Sequence, residues 1–162
     1  MRRFPGGQNR NQELHFYPAP FRAPLPAFAV LVFPWVEDRV LLCEISGRGW
    51  CVPSGRVEPN ESSQQAGCRE AMEEAGAELS DIDYIGSYEI LENLDTRWAD
   101  CFSASVSALG ERTMSEESRG IRLVTLKELP NIYYLWNPLT QMVFEHSYEA
   151  VQRKRTNMPK IS

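Results

Sequence analysis

Apolar positions fall into two continuous runs early in the chain, Ala27–Phe33 and Val40–Ile45, separated by the turn-like Glu37-Asp38. Runs of this length between turn residues predict buried strands, and a hairpin is the economical connection. A shorter piece, Trp50–Val52, ends at Pro53-Ser54-Gly55, which forces a turn. Ser62 followed by Gln65 is a capping-box pattern, so a helix is expected from Ser62 to about Ala75, with Gly76 as its terminator. Gly67 costs that helix about 1 kcal/mol relative to alanine; close packing on a sheet would explain it. Tyr84–Leu91, Trp98–Val106 and Gly120–Leu126 carry β-type residues in partial alternation and predict three more strands. Lys127–Leu129 reads as a turn of helix stopped by Pro130, and Asn137-Pro138 opens a final helix to about Arg153. Residues 1–26, rich in Pro, Gly, Asn and Gln, read as a flexible arm and 154–162 as a frayed basic tail, leaving 27–153 as one domain.

Composition narrows the class. With 162 residues, 43% hydrophobic and 24% charged, the chain can bury a sizeable core of its own. A net charge of -5 argues against a protein devoted to holding nucleic acid, yet leaves room for a small phosphate ligand met by a few local cations. Cys43, Cys51, Cys68 and Cys101 form no CxxC pair and no zinc spacing with a histidine, so reduced thiols and a cytoplasmic location are expected. No apolar run approaches the roughly 18 residues of a membrane span, and the arginine-containing start lacks the apolar segment of a signal peptide.

The candidate chemistry lies on the first helix. At about 100° per residue, Glu70, Glu73 and Glu74 share one face, while Cys68, Ala71, Met72 and Ala75 lie opposite and suit packing on a sheet. That geometry points the glutamates away from the core, towards an open groove. Like charges at this spacing each cost roughly 0.2–0.5 kcal/mol when exposed, and more where water is partly excluded. A cation would compensate them, and an all-oxygen donor set suits magnesium or manganese better than zinc. The alternative on spacing alone is a solvated acidic face.

The longer pattern decides between these readings. From Gly55 the sequence runs GRVEPNESSQQAGCREAMEEAGA, which resembles the Nudix signature: Gly, five residues, Glu, seven residues, then Arg-Glu-aliphatic-any-Glu-Glu-any-Gly-aliphatic. Seven fixed letters at about one in 15 each would coincide at a given start on the order of once in a hundred million times. The flanking order of strands and helices extends the resemblance to about Ala27–Val151. It implies an α/β fold, an α/β/α sandwich around a central mixed β-sheet. It also implies a hydrolase that cuts a pyrophosphate linkage with magnesium, or manganese, and uses water rather than a protein nucleophile.

Carried over by position, the resemblance makes Glu73 and Glu74 the principal metal ligands, and Glu70 a further ligand or a helper in deprotonating water. Ser54 would add its backbone carbonyl. Arg69 and Glu61 would brace the loop against the helix beside Gly55. Ser54 and Asn60 stand where the family commonly has glycine, and Ala71 and Ala77 are smaller than its usual aliphatics. Asn tolerates left-handed backbone better than most residues. Many relatives use a further acid on a later loop, for which Glu111, Glu116 and Glu117 are candidates, Glu116 or Glu117 being better placed.

Tyr133, Tyr134 and Trp136 are candidates to stack on a base, and Arg48 and Arg97 to meet phosphates; core packing and solvation are the competing readings. His15 and His146 have no ligand spacing. The segment Leu91-Glu92-Asn93-Leu94 lacks the proline that marks ADP-ribose specificity in the family. Triphosphates, nucleotide sugars, dinucleotides and a capped RNA end all remain open as substrates, as does a homodimer. The competing class is a silent Nudix-fold module that senses a nucleotide or a protein.

Overall fold

In the computed structural model, which describes residues 3–110 and 118–157, nine strands among the described residues form one mixed sheet between two α-helices. The strands are β1 Gly7–Asn9, β2 Gln12–Pro18, β3 Ala29–Val36, β4 Arg39–Ile45, β5 Gly49–Cys51, β6 Ser54–Arg56, β7 Ala77–Glu92, β8 Asp95–Leu109 and β9 Ser118–Thr125. The helices are α1 Ser63–Ala75 and α2 Pro138–Thr156. The sheet runs β1-β2-β7-β8-β3-β4-β5, with β6 beside β3 and β9 beside β4. Only β3 and β8 pair in parallel among these neighbours.

β3 and β4 read as unbroken apolar runs because both of their faces are covered. Val30 and Val32 pack with Ala66 of α1, whereas Phe33 and Trp35 join Val143 and Phe144 of α2. On β4, Leu41 meets Ala71 and Ala75, while Val40 and Leu42 face α2. Gly67 lies where α1 touches the sheet: a Cβ there would stand 2.8 Å from Val32 Cγ2. The sheet leaves no room for a side chain.

Helix ends follow the sequence. Ser62 Oγ accepts from Gln65 N at 3.1 Å, Gln65 Oε1 accepts from Ser62 N at 2.8 Å, and Gly76 closes α1 in the left-handed region at φ 64°. Asn137 Oδ1 accepts from Thr140 N at 2.8 Å to cap α2. The Pro130 reading is corrected. It lies within a 3-10 turn, Leu129–Asn131, near its start, where a missing N–H costs nothing.

Three other expectations change. Residues 1–26 are not a free arm, because β2 pairs with β7 across seven positions, with Leu14 opposite Ile90 and Phe16 opposite Tyr88. Leu14 and Phe16, two residues apart, are both buried and give β2 its apolar face. β7 and β8 are longer than read. Register shifts at Glu78/Leu79, Ser80/Asp83 and Tyr84/Gly86 break the alternation in the first half of β7. Finally, α2 extends past Arg153 because Arg155 donates to the carbonyls of Glu37 at 2.9 Å and Trp35 at 3.3 Å. Residues 158–162 of the expected tail lie outside the described residues.

Candidate active site

The turn at Pro53 delivers β6 against the first half of β3, with Gly55 opposite Val30 and Ser54 opposite Leu31. β4 pairs with β3 only at Trp35 and Val36, so the start of β3 is open for β6. The chain then loops through Asn60, which adopts φ 66°, into α1. Arg69 fastens that loop. Its guanidinium donates to both oxygens of Glu61, at 2.8 and 3.0 Å, and to the carbonyl of Arg56 at 3.0 Å. Its remaining nitrogen reaches Glu70 at 2.9 Å and Glu73 at 3.2 Å. The forked, charge-assisted pair holds the Glu61 carboxyl below its usual range.

The three helix glutamates occupy different environments, which corrects the reading that all point away from the core. Glu74 is only 4% exposed. Its Oε1 accepts from Ser54 N at 2.9 Å, and Cys43 Sγ lies 4.0 Å from Oε2. Glu70 is mostly covered and Glu73 lies at the rim, with side-chain exposures of 12% and 28%. Met72, expected on the packed face, is 37% exposed. A helical wheel carries no record of β6, which closes over this side of α1. Gly55 is the contact point: a Cβ there would overlap the Glu70 carboxylate.

Glu70 and Glu74 lie close enough to interact, and each carboxyl stands above its usual range. Burial, with the neighbouring Glu70 charge adding to it, pushes Glu74 up to about 8 despite the Ser54 N–H. Burial likewise raises Glu70, against hydrogen bonds to Glu74 and Arg69. No three such acidic, His or Cys side chains among the described residues converge on one point as they stand. The donor set nevertheless fits a hard divalent ion, since a cation would offset the mutual repulsion of the buried Glu74, the largely covered Glu70 and the neighbouring Glu73.

Beside Gly55 a cavity of about 700 Å3 opens along the sheet, lined by Arg48, Ser54, Gly55, Arg56 and Tyr134 at one end. Arg48 reaches Ser54 Oγ at 3.4 Å and lies 5.9 Å from the Tyr134 ring centre. Arg97 does not line the cavity; it covers Phe28 at 4.6 Å and pairs with Glu92 at 3.3 Å, and both partners do line it. Trp136 is also not brought there. It packs on Phe144 and Tyr133, at 5.9 and 6.5 Å between rings. Glu111, Glu116 and Glu117 lie outside the described residues. His15 pairs with Glu13, and His146 meets the carbonyl of Ile85. Sequence reasoning missed the far wall, built from Asn9, Arg10 and Gln12 of the first hairpin and from Glu92. The signal for it was the alternation of Gln12, Leu14 and Phe16.

A mixed sheet between two helices, with a loop–helix unit carrying Arg69 and its glutamates, defines the class. The NUDIX domain model matches residues 25–145, and the chain belongs to that family. It is 33% identical over 90 residues to a putative 8-oxo-dGTP diphosphatase, YtkD, of Bacillus subtilis, a match spanning 56% of each chain. The chain thus aligns with just over half the length of that relative. Among solved structures it resembles a point mutant of the Bacillus subtilis pyrophosphohydrolase BsRppH, with TM-score 0.73 and 22% identity over 91% of this chain and 96% of that one. A NUDIX hydrolase from Nitrosomonas europaea is similar at TM-score 0.63 and 25% identity, over 78% and 90%. No helix among the described residues is long and apolar enough to cross a membrane.

Proposed function

We propose that the chain is a pyrophosphohydrolase that uses magnesium, with manganese as a substitute, to cleave a nucleoside phosphate at its pyrophosphate linkage. The observation that carries this reading is the pair of the buried Glu74 and the largely covered Glu70, set one glycine away from a nucleotide-sized cavity. A volume of about 700 Å3 lies within the usual range for small-ligand sites and is too small for a duplex. The kinship to a putative 8-oxo-dGTP diphosphatase favours a small nucleotide as the first substrate to test.

In this reading Glu70, Glu73, Glu74 and the Ser54 carbonyl hold the cation, which when bound offsets pyrophosphate charge and eases deprotonation of water. Arg69, braced on Glu61, fixes the pitch of the glutamates, and Gly55 lets the β6 backbone and Glu70 approach each other. Arg48, in contact with Ser54, is placed to meet the phosphates at the same end of the cavity, and Tyr134 offers a ring beside them. Glu117 is the remaining candidate acid.

The deciding experiment is hydrolysis of nucleoside triphosphates, nucleotide sugars, dinucleotide polyphosphates and capped RNA, with and without magnesium, on the wild type and Glu74→Gln. Metal-dependent release of a nucleotide, lost in the variant, supports the reading. A silent panel with a nucleotide still bound in calorimetry would move the assignment to a sensor module.

A further inference from the structure

The far end of the cavity has a chemistry of its own. Gln12 of β2 and Glu92 of β7 are direct cross-strand partners. Gln12 Nε2 donates to Glu92 Oε2 at 3.4 Å, and Arg97 holds that same oxygen at 3.3 Å from outside. Among the described residues Glu92 Oε1 has no hydrogen-bond partner, and Gln12 keeps a second N–H. An acceptor and a donor are therefore presented side by side at the cavity wall. Between them and Tyr134 lies an apolar floor of Leu31, Ile90 and Ala99, which continues into a recess of about 120 Å3. Aromatic and apolar walls with one polar edge are what a flat base requires.

Resting on the nucleotide reading of the site, we infer that Gln12 and Glu92 are specificity-determining residues that read the Watson–Crick edge of a guanine base. Guanine offers the carboxylate two adjacent N–H groups, N1–H and N2–H, and offers the amide its O6 acceptor. Adenine, cytosine and uracil each offer a single N–H position on that edge, beside one acceptor in adenine and two in cytosine and uracil, so each makes two hydrogen bonds to one amide donor and one carboxylate. Guanine alone makes three hydrogen bonds to the pair, two of them to a charged acceptor. One such bond more than the competitors corresponds to roughly a tenfold preference or greater. Arg97, outside the cavity, acts as a positioning residue that holds Glu92 Oε2 and keeps the carboxylate turned inward.

The test is calorimetric binding of GMP, AMP, CMP and UMP, products that are not consumed, to the wild type, Glu92→Gln and Gln12→Leu. Triphosphate hydrolysis with each base is run in parallel, and thermal melting checks the fold. GMP should bind at least tenfold more tightly than the others, Glu92→Gln should bring all four to within about threefold, and Gln12→Leu should weaken all four while leaving GMP the tightest. Equal binding of the four bases by the wild type, or a guanine preference that survives Glu92→Gln, overturns the assignment. Hydrolysis of all four triphosphates at one rate would sink this inference while leaving the hydrolase reading intact. Absence of both binding and hydrolysis would sink the two together.

Discussion

Ser54 N and Glu74 Oε1 lie 2.9 Å apart and join the end of one strand turn to the last turn of α1, twenty positions later. The backbone donor partly offsets the burial of an acidic group that, among the described residues, has no cationic side chain at hydrogen-bonding distance. The same contact fixes how far the glutamates stand from the cavity.

Glu74→Gln keeps the acceptor for Ser54 and removes the charge. Turnover should fall by about 100-fold or more, as it should for Glu73→Gln, while Glu78→Gln, on an exposed site outside the cluster, should change it less than twofold. In metal-free buffer the melting temperature of Glu74→Gln should hold or rise, because the repulsion from Glu70 is relieved. Steady-state kinetics at saturating magnesium, paired with melts in chelator, checks both; full activity in either active-site variant would refute the metal assignment.

Gly55→Ala should be costly although its backbone is ordinary. The added methyl would displace the Glu70 carboxylate, with an overpacking loss of about 1–3 kcal/mol and a fall in activity from the misplaced acid. Urea denaturation with intact m-values separates the two effects; a variant of wild-type stability and rate would show that Glu70 relaxes freely.

At Gly67 two effects of opposite sign compete. Alanine favours the helix by about 1 kcal/mol, but its Cβ would meet Val32 Cγ2 at 2.8 Å, with an overpacking cost of about 1–3 kcal/mol. Gly67→Ala is therefore expected to be neutral to about 2 kcal/mol destabilising. Adding Val32→Ala should give a double variant more stable than the sum of the single effects, a coupling that denaturation of all four proteins measures.

The first hairpin is expected to be part of the folding unit. Leu14→Ala or Phe16→Ala should cost about 2–5 kcal/mol, and deletion of residues 1–18 should expose Tyr88 and Ile90 and lower solubility. Equilibrium unfolding of the point variants is the check; a loss below about 1 kcal/mol would mean that β2 is dispensable.

The sequence is most informative where a local rule decides. Ser62, Gln65 and Gly76 bound α1, Asn137 starts α2, and the spacing from Gly55 to Ala77 identifies the site before any coordinates. It is least informative where a distant strand decides. Nothing near Glu74 signals that β6 will close over it, and nothing near Gln12 signals Glu92, eighty positions away. Two apolar residues of β2 were outweighed by surrounding Gly, Asn and Pro. The bulges of β7 hid a strand behind Asp81 and Asp83, and Trp136 and Tyr134 are indistinguishable until packing sends one to Phe144 and the other to the cavity.

Helix α2 comes last in the described chain yet completes β3, made about a hundred residues before it. Trp35 Nε1 donates to Ser147 Oγ at 3.2 Å, Phe33 packs on Phe144 at 5.0 Å, and Arg155 takes up the carbonyls of Trp35 and Glu37. During synthesis at roughly 5–20 residues per second, β3 and β4 emerge long before α2 can cover them. The nascent sheet therefore passes several seconds with Phe33 and Trp35 uncovered, so the polypeptide is most vulnerable to aggregation on the ribosome, before its final helix is made.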